Sequence, residues 1–178
     1  MLFHVFPHRS LTRLALAPAR LAQWTGADWL AKKSGVLNLL PKSLRTMHGM
    51  LPDLKRHHGG LPEILPAEGK TRARVGLFLG CVADALYPQT NYATAKVLQM
   101  NGCEVWIPRN QVCCGALHYH AAAEDPAREL AAQNCDAFGM AGPEWDKLDA
   151  IITNAAGCGA QMKDYAHMMH GHPAAEAA

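Results

Sequence analysis

The sequence predicts an α/β fold: a parallel sheet with flanking helices over residues ~72–170, preceded by an α-helical segment. Three observations carry that prediction. From Arg72 onward, short apolar runs alternate with stretches long enough for helices, the rhythm of a parallel sheet with helical crossovers. Before that point, apolar residues recur at helical spacing and no strand-like run is seen. Between the two lies "HHGGLPEILPAEGK", rich in glycine and proline, which reads as a linker. The chain therefore divides into a helical linker or docking segment (1–58), a Gly/Pro-rich linker (59–71), a cysteine-bearing α/β domain (72–170) and a disordered tail (171–178).

In the helical segment, Ser10 is a candidate N-cap for "SLTRLALAPARLAQW", and Pro18 is expected to break that helix. In "KSLRTMHGMLPDL", Leu44, Met47 and Leu51 share one apolar face, read as packing surface, with Pro41 at the helix start and Pro52 at its end. "RVGLFLGC" reads as a buried strand, and "PQTNYATAKVLQMNG" as a helix closed by Gly102 in a left-handed cap. "CEVWIPR" is a second strand. "DPARELAAQNCDAFGMAG" is a second helix, with Asp125 as N-cap and Pro126 in its first turn. "LDAIITNAAGCG" is a third strand, and "AQMKDYAHMM" opens another helix.

At 178 residues and 49% apolar, the chain supports one core plus an appendage. Its formal charge of +2 hides an asymmetry. Residues 1–70 carry ten Lys/Arg against four Asp/Glu; residues 71–178 carry seven against eleven. The basic half suits an acidic partner or an anionic membrane face, or is simply a solvated helical surface. No apolar run reaches the ~20 residues of a membrane span, and Arg13, Pro18 and Arg20 interrupt the stretch that would otherwise resemble an export signal. The first 27 residues do share the arginine-rich, acid-free composition of transit peptides. A cytoplasmic location, peripheral at the inner membrane face if membrane-associated, is the expectation. There, cysteines serve as metal ligands or buried thiols in preference to disulfides.

Six cysteines stand at 81, 103, 113, 114, 135 and 158. Cys81 and Cys158 are predicted at the ends of the first and third strands, and Cys113–Cys114 just after the second. Carboxyl ends of parallel strands share one edge, so these four thiols should converge. Gly80, Gly115, Gly157 and Gly159 would let backbone approach a bulky inorganic ligand and turn amides toward its sulfurs. Cys103 and Cys135 read as small core hydrophobes. The residues leave three readings open: an iron–sulfur cluster, a zinc ion, or thiols without metal. A cluster is favoured because adjacent cysteines can each reach a different iron, whereas zinc sites usually space theirs by two to four. His118 and His120 then surround the centre instead of ligating it.

The residues "LFLGCVADALYPQTNYATAKVLQMNGCEVWIPRNQVCCGALHYHAAAED…NAAGCGAQMKDY" resemble the first CCG-type cysteine-rich domain of the iron–sulfur subunit of glycolate oxidase (glycolate dehydrogenase). "HVFPHRSLTRLALAPARLAQ" and "LLPKSL" resemble the linker that precedes it. Lactate-utilisation, anaerobic glycerol-3-phosphate dehydrogenase and heterodisulfide reductase subunits are more distant relatives. The resemblance implies an electron relay from a flavin subunit, which oxidises glycolate, toward an acceptor. It implies a cluster, of 4Fe-4S type, at Cys81, Cys113, Cys114 and Cys158. It implies flavin-containing glycolate oxidase subunits as partners. The family's ferredoxin-like domain and second cysteine-rich repeat have no counterpart in this sequence, and the two-residue-spaced final cysteine pair of heterodisulfide reductases is replaced by Cys158 followed by Gly159, Ala160 and Gln161. The chain thus reads as part of a larger subunit, with further ligands supplied from elsewhere.

Two other functions compete with electron transfer. One is an interaction module whose helices dock the flavoprotein or a membrane without a cluster. The other is a zinc or thiol protein with Cys113 or Cys114 as ligand or nucleophile. A nucleotide site is not expected, since "GLFLGC" lacks the required glycine spacing, nor is nucleic acid or a glycolate site on this chain.

Overall fold

The computed structural model describes residues 5, 7–54, 60–139 and 147–171. Apart from Gly171, the predicted tail lies outside them, as do positions 55–59 at the predicted linker junction.

The fold is mixed α/β, with an α-helical segment at its N-terminal side. Its sheet has the order β1-β3-β2-β4. β2 (Ala73–Phe78) is central, with β3 (Cys103–Trp106) and β4 (Ala150–Thr153) parallel on either side. β1 (Ile64–Leu65) adds an antiparallel edge, placing Ile64 opposite Trp106. The Gly/Pro-rich stretch therefore does more than link: it supplies this strand and the core residue Leu61.

β2 is apolar on both faces because helices cover both. Val75, Leu77 and Leu79 join Val105, Ile107 and Ala95 on one side. On the other, Phe78 meets Phe138 and Cys114. Gly76 is required here, since a Cβ would lie 2.8 Å from the Phe138 ring. The covering helices are α4 (Cys81–Leu86), α5 (Pro88–Met100), α6 (Ala116–Tyr119), α7 (Glu124–Ala137), α8 (Ala156–Lys163) and α9 (Tyr165–Met168). As expected, Gly102 follows α5 in a left-handed conformation, φ 78°. Asp125 is not the N-cap of α7; Ala123 holds that position, and Arg128 binds both Glu124 and Asp125 in the first turn. Acids there favour the helix through its unpaired N–H groups, so the start moves two residues earlier.

The N-terminal segment folds as α1 (Arg9–Thr25), α2 (Ala27–Ser34), a 3-10 turn (Val36–Leu39) and α3 (Lys42–Gly49). Ser10 lies inside α1, whose N-cap is His8. Pro18 does not break the helix: it sits on an exposed face, where water can serve the backbone carbonyl that proline leaves unbonded. Arg13 docks the segment through an ion pair with Asp84 of α4, 2.9 Å long. Gln23 clamps the return of the chain, donating to Pro52 O (3.0 Å) and accepting from Leu54 N (2.7 Å).

Candidate metal centre

The four thiols predicted to converge do so. Cys81 Sγ lies 3.3 Å from Cys113 Sγ. Cys113 contacts Cys114, and Cys114 contacts Cys158, so the sulfurs are linked in the order 81, 113, 114, 158. Two placements differ from expectation. Cys81 and Cys158 do not end strands; Cys81 opens α4, and Cys158 lies in the first turn of α8. Each strand stops two or more residues earlier, so the thiols occupy strand-to-helix turns at the carboxyl edge of the sheet. That position adds donors, because the first N–H groups of a helix have no partner within it. Backbone N–H groups of Val82, Gly115 and Ala116 reach the sulfurs of Cys81, Cys113 and Cys114 respectively.

Cys81, Cys113 and Cys114 are buried, while Cys158 is partly exposed. The Cys81 thiol is pushed far up, first by its contact with Cys113 and then by burial. Cys113 is pushed up to about 11, chiefly by Cys114. Cys114 rises to about 12: its contact with Cys113 lowers it, but Cys158 and burial outweigh that. Cys158 is lowered by Cys114. Without a cation, such a site keeps most of its sulfurs protonated; a metal would displace those protons. Raised thiols at Cys113 and Cys114 also argue against the nucleophile reading, which needs a ready thiolate.

The donor set fits a multi-iron group better than one ion. Among the described residues, no three His, Cys, Asp or Glu side chains are set to hold a single metal ion. The sulfurs are strung along three turns, as suits several metal atoms, each taking its own thiolate. Gly80 (φ 69°) belongs to the cradle, since a Cβ there would stand 3.6 Å from Cys158 Sγ. Gly115 (φ 83°) passes against α7, where a Cβ would meet Ala127 O at 3.1 Å. Gly159 packs on Thr153. His118 is buried and lines a cavity of about 260 Å³ with Pro7, His8 and Glu129. His120 is exposed, edge-on to Tyr119. Cys135 is buried in α7 and Cys103 opens β3 half-buried.

Sequence reasoning missed the polar frame that holds the thiol-bearing turns. Gln111 is buried, accepts from Leu79 N (2.9 Å) and donates to Leu77 O (3.2 Å), tying the cysteine pair's loop to β2. Asn134, only 1% exposed, accepts from Val112 N (2.9 Å) and donates to Cys113 O (2.9 Å) and Tyr165 Oη (3.3 Å). Tyr165 then donates to Cys114 O at 3.0 Å. Asn91 donates to Leu79 O, and Asn154 donates to Asn91 Oδ1 (2.7 Å), joining the turns before Cys81 and Cys158. A signal was present: Ala127, Ala131, Asn134 and Phe138 share one helical face, and an amide on an apolar stripe must bond something buried.

Residues 75–163 match the family described as "Cysteine-rich domain", and residues 1–51 match "Glycolate oxidase iron-sulfur subunit, linker region". The chain is 42% identical over 174 residues to the "Probable glycolate oxidase iron-sulfur subunit" of Bacillus subtilis, covering 96% of this chain and 38% of that protein. It is 35% identical to "Lactate utilization protein A" of Geobacillus kaustophilus, over 58% of this chain and 41% of the relative. It is 38% identical to the "Glycolate oxidase iron-sulfur subunit" of Escherichia coli, over 55% and 24%. The chain thus spans about two fifths or less of the length of these relatives. No solved structure matches. With Cys81, Cys113, Cys114 and Cys158 all inside the matched region, the chain belongs to the cysteine-rich (CCG) domain family.

Proposed function

We infer that the chain is an iron–sulfur, electron-relaying component of a glycolate or related 2-hydroxy acid oxidase (dehydrogenase) complex. The observation that carries this reading is the linked set of four sulfurs, three of them buried, at the carboxyl edge of a parallel sheet. The relatives' names, glycolate oxidase iron–sulfur subunit and lactate utilization protein A, supply the substrate class. In this reading Cys81, Cys113, Cys114 and Cys158 hold a cluster of the 4Fe-4S type, with any further ligand donated by another segment or chain. A bound cluster supplies one-electron transfer. The chain's own residues exclude water and aim N–H groups at the sulfurs, two factors that set a cluster's potential. The flavin sits on a partner subunit, and the assembly works on the cytoplasmic side of the membrane. Substrate oxidation is assigned to that partner.

Iron and sulfide quantification on anaerobically prepared or reconstituted protein tests the proposal. Brown protein with stoichiometric iron and sulfide is expected, its visible absorbance lost in Cys113→Ser and retained in Cys103→Ser. Colourless protein with no iron after reconstitution would overturn it.

A further inference from the structure

The N-terminal helices are turned inside out. On α1, the residues facing inward include the buried Thr12 and Gln23, whereas Leu11, Leu14, Leu21 and Trp24 face water. Those four stand at spacings of three, seven and three, which is a single helical face. Their exposure is high: 69% for Leu14 and 77% for Trp24. The pattern continues along the segment. Neither α2, the 3-10 turn nor α3 has a buried residue, while Trp29, Leu39, Met47 and Met50 are all more than half exposed. Of the stripe expected to pack, Leu44 and Met47 are exposed among the described residues, while Leu51 is partly buried. An apolar face of this extent marks a surface made to be covered.

Charge and residue type indicate what covers it. Residues 7–54 hold seven Lys/Arg against Asp28 and Asp53, and Asp28 is already engaged by Lys32 and His48. Basic side chains flank the apolar positions, with Lys33 Nζ 4.9 Å from the Trp29 ring. Leucine and tryptophan flanked by lysine and arginine characterise helices lying flat on an anionic lipid surface. Among the described residues no helix is long and apolar enough to cross a membrane, so such a segment would lie in the interface plane. We propose that the outward face of α1, α2 and α3, centred on Leu14, Trp24 and Trp29 and rimmed by Lys33 and Lys42, seats this chain on anionic phospholipid.

This deepens the proposed placement at the membrane but does not depend on the cluster. The test is co-sedimentation of the intact chain with vesicles of equal phosphatidylcholine and phosphatidylglycerol, against phosphatidylcholine alone, with tryptophan emission and iron content recorded. Expected are binding to the anionic vesicles with a blue-shifted emission, weakening in high salt, and a shift lost in Trp24→Phe/Trp29→Phe. Lys33→Gln/Lys42→Gln should weaken binding roughly thirtyfold. Leu14→Ser/Trp24→Ser should abolish it, and both variants should keep their iron and helical content. No vesicle binding, or binding indifferent to lipid charge, overturns the proposal. So does a co-purifying polypeptide that protects Trp24 and Trp29 while vesicles are ignored, which would assign the face to a protein. Iron lost with vesicle binding intact would count against the metal reading instead.

Discussion

Asn134 shows how much one side chain can hold at this site. Its amide satisfies Val112 N and Cys113 O on one side and Tyr165 Oη on the other. Asn134→Ala takes that partner from Val112 N and Cys113 O while Tyr165 Oη keeps its bond to Cys114 O, so a loss of about 2–3 kcal/mol is expected in urea unfolding of the metal-free protein. Tyr165→Phe removes the bond to Cys114 O and the one accepted from Asn134 Nδ2, and should cost about 1–2 kcal/mol. Equal costs for the two would show that Asn134 acts only through Tyr165. The thiols themselves should separate by reactivity. Cys103 and Cys158 are partly exposed, and Cys158 is shifted toward thiolate, whereas Cys81, Cys113, Cys114 and Cys135 are buried with raised thiols. Mass-resolved iodoacetamide labelling of metal-free native protein should modify Cys103 and Cys158 well before the other four.

At the scale of elements, the sheet's fit to its helices is set at β2. Gly76→Ala drives a methyl into the Phe138 ring, and a loss of about 1–3 kcal/mol is expected, read as a shift in the denaturation midpoint at constant slope. The α2–α3 junction depends on a charge. Asp28 is held below the usual carboxylate range, first by its hydrogen bond to Lys32 and then by His48, against burial. A lowered carboxyl contributes stability above its unfolded value of about 3.9, and that contribution is lost as pH falls through and below 4. The gap in unfolding free energy between wild type and Asp28→Asn should be small, under about 1 kcal/mol, at pH 6 and shrink as pH falls below 4. Much of this layer was legible in the sequence. The core of every parallel strand was read correctly from apolar runs, and Gly102 announced the end of α5. Three details were not. Cys81 and Cys158 shift into helices because the last residues of an apolar run carry no mark of where pairing stops. Ile64–Leu65 is too short a strand to show a period. The outward face of α1 has the periodicity of a core helix, and only the placement of Thr12 and Gln23 reveals which side is inside.

The whole molecule is tied together at one edge. β2, β3 and β4 meet through backbone pairing, but the turns leaving them are joined mainly by the polar frame and the sulfur contacts. A group bound to Cys81, Cys113, Cys114 and Cys158 would join all three turns, and it can bind only the folded chain in this geometry. Ligand at a hundred times its dissociation constant adds about 2.7 kcal/mol to stability. For a chain of this size each kcal/mol moves the melting midpoint by about 2–4 °C. Reconstituted protein should therefore melt roughly 5–10 °C above the metal-free form, the gain vanishing on chelation and in Cys113→Ser. The helical segment should share in that gain. Arg13 grips Asp84 on α4, the helix that Cys81 opens, so tightening the centre also steadies the docking of α1. Arg13→Ala should leave iron content unchanged and shrink the gain in protection of α1 amides, measured by hydrogen exchange on loaded and metal-free protein. Equal α1 protection in the two forms of the wild type would show that the segment and the centre are energetically separate.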